Sequence, residues 1–170
     1  MLSTDTIRRL LEALNADLAS HGVVGEVGLC GGAVMCLVFG ARKSTKDVDA
    51  IFEPTREIRE AAVRVARDLG VADDWLNDAV KGFFLSDPPR QDVMDLPNLR
   101  VWAPTAEYML AMKCASARFD SHDRIDVAFL IRHLGLSTPA SVFEIIGRFY
   151  PREQVPAKTA FLVEEILESS

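Results

Sequence analysis

The chain has 170 residues, of which 49% are hydrophobic and 26% charged, and a net charge of −6. This is the make-up of a globular protein able to bury a sizeable core, and it excludes a disordered chain. The acidic balance offers no field for a long nucleic-acid footprint, although a local basic loop can still bind a nucleotide or the end of an RNA. No apolar run nears membrane-spanning length and no signal-peptide core opens the sequence. Three cysteines, Cys30, Cys36 and Cys114, lie in apolar runs and form no Cys-x-x-Cys pair. They read as buried thiols in a reducing compartment, and the expected location is cytoplasmic.

Ser3 or Thr4 caps an opening helix in which Ile7, Leu10, Leu11, Leu14 and Leu18 recur at helical spacing, ending near His21-Gly22. The apolar run Val23–Cys30 predicts a strand ending in Gly31-Gly32. Ala33–Phe39 is long enough for two helical turns. A basic, hydroxyl-bearing loop follows, Arg42-Lys43-Ser44-Thr45-Lys46, and runs into Asp47-Val48-Asp49 and the β-favouring Ile51-Phe52. Pro54-Thr55 starts a second amphipathic helix that Gly70 terminates. Asp73–Asp78 reads as a short acidic turn or helix around Trp75, an aromatic anchor, with Asn77 or Asp78 as candidates for the rim of a cleft. Phe83–Leu85 reads as a buried strand, Asp87–Asp92 as a surface turn and Asn98–Trp102 as a further strand. Pro104 opens a helix to Phe119, with Arg118 near its end, and another begins within Asp120–Asp126. Thr138 and Pro139 start the helix Ala140–Phe149, and a last one spans about Pro156–Glu168. The expected fold is a single α/β (α+β) domain over residues 1–170. Its mixed sheet with flanking helices occupies residues 22–103, with the site at one edge, and residues 104–170 form a helical part.

Side chains alternate across a strand, so Asp47 and Asp49 share one face while Val48 and Ala50 enter the core. Carboxylates two strand residues apart stand roughly 6–7 Å from each other along the backbone and can share a Mg²⁺ ion, which takes one or two carboxylates plus substrate phosphates. Gly31 and Gly32 let backbone N–H groups approach phosphate with no Cβ in the way. Arg42, Lys43, Lys46 and the Ser44 and Thr45 hydroxyls add charge and hydrogen bonds for the same triphosphate.

The run Gly-Gly-Ala…Phe-Gly-Ala-Arg…Ser-Thr-Lys-Asp-Val-Asp, with fourteen residues between Gly32 and Asp47, resembles the signature of polymerase-β-type nucleotidyltransferases. It is most similar to the minimal prokaryotic branch that includes abortive-infection and toxin-type enzymes. The resemblance implies a nucleotidyltransferase-type sheet and a Mg²⁺-dependent transfer from a nucleoside triphosphate to a hydroxyl of an RNA (tRNA included) or of a protein. It also implies an antitoxin as partner. Asp47 and Asp49 would hold the metal, Gly31, Gly32 and Ser44 would contact phosphate, and Arg42 or Lys46 would add positive charge. One feature departs from full members of the superfamily, which carry a third carboxylate on a later strand. Asn98–Trp102 offers none.

A second group lies downstream. Lys113 interrupts a helix that is otherwise apolar from Tyr108 to Ala117, so it must reach water, lose its charge or meet a carboxylate. Lys113 and Asp126 resemble the lysine and aspartate that accompany the strand acids in toxin-type relatives. Asp123 also reads as a helix N-cap and Asp126 as a first-turn acid. His21, His122 and His133 show no metal-ligand spacing. Two alternatives to an enzyme of this kind stand beside it: a nucleotidyltransferase-fold binding module with weak or no turnover, and, ranked last for want of a substrate domain, a transferase modifying a small molecule such as an antibiotic.

Overall fold

A computed structural model describes residues 1–84, 87–116 and 121–170. The fold is α+β, with a mixed sheet and, among the described residues, seven α-helices. The chain divides into two compact units, Met1–Gly82 with Arg90–Pro104, and Phe83–Pro89 with Thr105–Ser170. No described helix is long and apolar enough to cross a membrane.

The first unit opens with β1 (Leu2–Ser3) and α1 (Thr4–Ser20). Ser3 caps α1, its hydroxyl accepting from the Thr6 N–H at 3.2 Å. Then come β2 (Gly25–Leu29), α2 (Gly31–Leu37), β3 (Ser44–Thr45), β4 (Val48–Glu53), α3 (Thr55–Leu69) and β5 (Leu76–Asn77). Gly70 ends α3 with φ of 67°, a left-handed cap that suits glycine. β6 (Arg90–Asp95) and β7 (Leu99–Pro104) complete the unit.

Five strands form one sheet in the order β5-β4-β2-β7-β6. β4 runs antiparallel to β2, β7 parallel to β2, β5 parallel to β4 and β6 antiparallel to β7. Val27, Leu29, Val48, Ala50, Leu99 and Val101 are buried on one face. A Cβ at Gly25 would stand 2.8 Å from Ile58 Cδ1 of α3 and 3.3 Å from Leu18 Cδ1 of α1, so both helices close on that face. Arg64 ties the two helices together, donating from Nη2 to Asp17 Oδ1 at 2.7 Å and from Nε to Oδ2 at 3.0 Å. On the opposite face the Trp102 indole fills the space above Gly28, 2.2 Å from where a Cβ would sit. The Arg90 guanidinium lies 4.2 Å from that indole's centroid and pairs with Glu26 at 3.1 Å.

Several elements differ from the sequence reading. β1 and β3 pair as a separate two-stranded sheet, Leu2 with Thr45 and Ser3 with Ser44. Two-residue strands carry no period to read. β6 replaces the later half of the expected surface turn. Its exposed Arg90, Asp92 and Asp95 suit an outermost strand, and they hid its two-residue alternation. The strand expected at Phe83–Leu85 is instead a 3₁₀ turn over Lys81–Phe83, and Leu85 lies outside the described residues. β4 is not the sheet's outer strand, because β5 adds beside it at Val48 and Asp49. Pro104 closes β7 rather than opening a helix, and Thr105 is the cap.

The second unit holds α4 (Ala106–Ala115), α5 (Ser121–His133), α6 (Pro139–Phe149) and α7 (Lys158–Glu168). Residues 117–120, with the expected end of the α4 helix and Arg118, lie outside the described residues. Thr138 caps α6 and Pro139 occupies its first turn, where a missing N–H costs nothing. Tyr108, Met109, Leu130, Ile131, Val142, Ile146 and Val163 form the core. The Thr159 hydroxyl of α7 donates to the Cys114 carbonyl of α4 at 2.9 Å.

Trp75 anchors the first unit's sheet to α3. It is 2% exposed and its indole N–H donates to the Ala62 carbonyl at 2.9 Å. Trp75→Ala should cost about 3–5 kcal/mol of stability. Trp75→Phe, which keeps most of the volume but loses the hydrogen bond, should cost much less. Urea unfolding followed by circular dichroism checks the order.

Candidate functional site

The Gly31–Asp49 stretch folds back on itself in the first unit. The Cys30 N–H donates to the Asp49 carbonyl at 2.8 Å, extending the antiparallel β2–β4 pairing one residue beyond β2. Chain direction reverses immediately afterwards, because Gly31 has φ of 56° and starts α2. A side chain is excluded there twice over. The left-handed backbone disfavours one, and a Cβ would stand 3.0 Å from Asp49 Oδ2. At Gly32 a Cβ would stand 2.4 Å from Thr45 Oγ1 and 3.3 Å from Arg42 Nη1. Two glycines, a carboxylate, a hydroxyl and a guanidinium therefore converge on one turn.

The site residues expected from the sequence sort as follows. Gly31, Gly32, Arg42 and Asp49 come together at the turn. Asp47 precedes β4, which begins at Val48. The alternation nevertheless continues through it, with Asp47 and Asp49 half-buried and Val48 and Ala50 buried. Lys46 is exposed on the loop before the strand. Of the two hydroxyls, Ser44 sits opposite Ser3 in the small sheet, whereas that of Thr45 abuts Gly32. Thr45 is only 6% exposed. Burial separates the two, with Thr45 buried and Ser44 half-buried. Asn77 lies opposite Asp49 across the β4–β5 pair, with its side-chain oxygen accepting from Ala79 N–H at 3.2 Å. Asp78 is held by Arg59 of α3 at 2.8 Å.

Cys30, next to the turn, is fully buried. Burial pushes its thiol well up from the ordinary value, and the negative charge of Asp49 adds to the rise. Among the described residues no group of three or more His, Cys, Asp or Glu gathers as a metal cage. The strand that sequence analysis missed, β6, does carry Asp92. Its partner is Trp102, which is opposite Gly28, which is opposite Ile51, so Asp92 and Asp49 share a sheet face. Three strand spacings separate them, roughly 14 Å, too far to share one ion.

The second group assembles within the second unit. Lys113 Nζ lies 2.7 Å from Asp126 Oδ2 and 3.0 Å from Asp123 Oδ1. α5 begins at Ser121, so Asp123 is its third residue rather than its N-cap, and its carboxylate meets Lys113. Beside this lysine, burial pushes the Cys114 thiol up to about 12, with the Lys113 charge opposing the rise. His21 bonds the Asp17 carbonyl at 2.8 Å on the surface of α1 and has no part in either group.

Compared with protein-family models, curated proteins and solved structures, the chain matches no family model, no curated protein and no solved structure. The chemistry of the site stands on its own residues.

Lys113 is the charge that makes Asp126, 1% exposed, tolerable in the interior. Lys113→Met should remove the cation paired with that buried acid and cost on the order of 3–5 kcal/mol. Adding Asp126→Leu should recover most of the loss, because the orphaned charge goes with it. Chemical denaturation of the two variants against wild type measures both steps.

Proposed function

We propose that the first unit is a nucleotidyltransferase-type core that binds the triphosphate of a nucleotide at the Gly31–Asp49 turn. It transfers the nucleotidyl group to a hydroxyl of an RNA or protein acceptor, as in the minimal prokaryotic enzymes whose motif the sequence resembles. The observation that carries this reading is the convergence at Gly31 and Gly32. Both positions exclude a side chain, and what crowds them is Asp49 at one and Thr45 with Arg42 at the other. A purely structural tight turn has no need of that chemistry.

In this reading the Gly31-Gly32 backbone and the Thr45 hydroxyl beside it hydrogen-bond phosphate oxygens. Arg42 and Lys46 offset their charge. The donor set fits Mg²⁺, a hard cation that takes carboxylate oxygens and substrate phosphates, and Asp47 and Asp49 are the residues that would hold it. When bound it neutralises charge developing on the phosphates. The acceptor hydroxyl loses its proton to solvent water as its oxygen attacks the α-phosphorus, the bond from the α-phosphorus to the bridging oxygen breaks, and pyrophosphate leaves. Residues 46–49 place the acids without using them in the core, since Val48 and Ala50 are the buried partners.

A second reading is a binding module of the same fold with little turnover. It is favoured by β7, which carries no acid, and by the distance of Asp92 from Asp49. A toxin paired with an antitoxin protein is compatible with either reading.

Asp49→Asn and Asp47→Asn should each abolish Mg²⁺-dependent triphosphate binding while the melting temperature stays near wild type. Thr45→Val should weaken binding by about tenfold, the loss of one hydrogen bond to a charged group. Titration calorimetry with each nucleoside triphosphate measures these effects. Incubation with labelled triphosphates, total RNA, proteins and small acceptors then separates the readings. Label transfer that Asp49→Asn removes supports the enzyme. Binding without transfer under any divalent metal supports the module. Nucleotide affinity unchanged in both aspartate variants would sink the site.

A further inference from the structure

The second unit carries a groove that the proposed chemistry does not use. It lies between α6 and α7 and has a volume of about 740 Å³. Phe143 and Ile146 from α6, Val155 and Pro156 from the connection, and Phe161 from α7 line it. One charged side chain reaches it, Arg152, which is exposed and has no ion-pair partner among the described residues. Phe161 is 72% exposed, the one aromatic among the exposed large hydrophobic residues described. Singly exposed aliphatic side chains are ordinary, whereas an exposed aromatic beside an apolar groove marks a contact surface.

The helix that bears Phe161 supplies what the groove lacks. Leu162, Val163 and Ile166 of α7 face the core. Glu164 and Glu168 stand three and seven positions after Phe161, on the same exposed helix face, and neither has an ion-pair partner among the described residues. The third acid of this turn, Glu165, is already taken by Arg124 at 2.8 Å. One surface therefore holds a protruding aromatic with two exposed acids beside it, and an apolar groove with an exposed guanidinium. Such a surface is complementary to itself, which is what a two-fold contact between identical chains requires.

We propose that this face is a self-association surface. Phe161 of one copy seats in the α6–α7 groove of the second, and Glu164 or Glu168 of one meets Arg152 of the other. The contact is apolar at its centre and ionic at its rim, and each copy contributes both halves.

Sedimentation equilibrium of the full chain, from low to high micromolar concentration, tests this. Wild type should form dimers. Phe161→Asp and Arg152→Glu should each weaken association by at least about tenfold, the scale of an interface anchor. Circular dichroism should be unchanged and each variant should still melt cooperatively, because both side chains are exposed. The Glu164→Lys/Glu168→Lys double variant should also be weakened alone and should associate with Arg152→Glu when the two are mixed. A monomeric wild type at all concentrations would overturn the proposal and leave the groove to a foreign partner. A dimer that survives Phe161→Asp would overturn it as well, since association would then use another face. Failure of the two charge-reversed chains to pair, with both folded, would overturn the ionic contact.

Discussion

The hydrogen bond from the Cys30 N–H to the Asp49 carbonyl is the constraint on which the first unit's site depends. It carries the β2–β4 ladder to the last residue before the chain turns. Backbone registry therefore sets the strand carboxylate opposite the turn. Gly31 then has to reverse direction within one residue of a carboxylate, and only glycine combines positive φ with the missing Cβ that this demands. The same registry runs outward. Cross-strand pairing places Asn77 opposite Asp49 on β5, and it places Gly28 beneath the Trp102 indole on β7. Sheet positions, not loop flexibility, fix the neighbours of Asp49.

The second unit solves a different problem. α4 is buried on nearly every side, so the one lysine in it needs compensation inside the protein. Two acids of α5 supply it, at 2.7 and 3.0 Å. A pair that is both buried and ionic contributes little net stability over an apolar replacement, but it penalises any packing in which the partners miss each other. Lys113 and Asp126 therefore fix how α4 and α5 pack against each other.

Much of this was readable from the sequence where periodicity is long or a residue is conformationally special. The first helix, with five leucine and isoleucine positions on one face, and α3, with its Gly70 stop, were legible because a wrong period exposes apolar surface. Gly31-Gly32 and the alternation around Asp47–Ala50 were legible for similar reasons. What escaped were strands defined by pairing alone. β1, β3 and β5 have two residues each, and an edge strand such as β6 exposes charges that read as a turn. At the site, the Ser44 and Thr45 hydroxyls were both candidates, and that of Thr45 is the one against Gly32. Strand phase sets that, and a two-residue strand does not reveal its phase. Asp123 looked like a cap, but its helix starts three residues earlier than that reading implied. The Phe161 surface left no sequence signal, since an aromatic at helical spacing reads equally well as core.

Charge distribution limits what the proposed nucleotide site can hold. Between Arg42 and Asp49 the chain places three cations, Arg42, Lys43 and Lys46, against two acids, Asp47 and Asp49. This stretch is locally positive on a chain whose whole carries −6, so the remainder is more acidic still. Lys43 and Lys46 are exposed, and their field is screened over a Debye length of about 8 Å at physiological salt. A triphosphate fits within that reach, and so does the last nucleotide of a strand. A longer polyanion would leave the basic loop and meet acidic surface, so phosphate contacts beyond the first few would oppose binding. Metal bound at Asp47 and Asp49 would raise the local positive charge without widening it. The electrostatics thus favour a compact, highly charged ligand, or a polyanion met at its end.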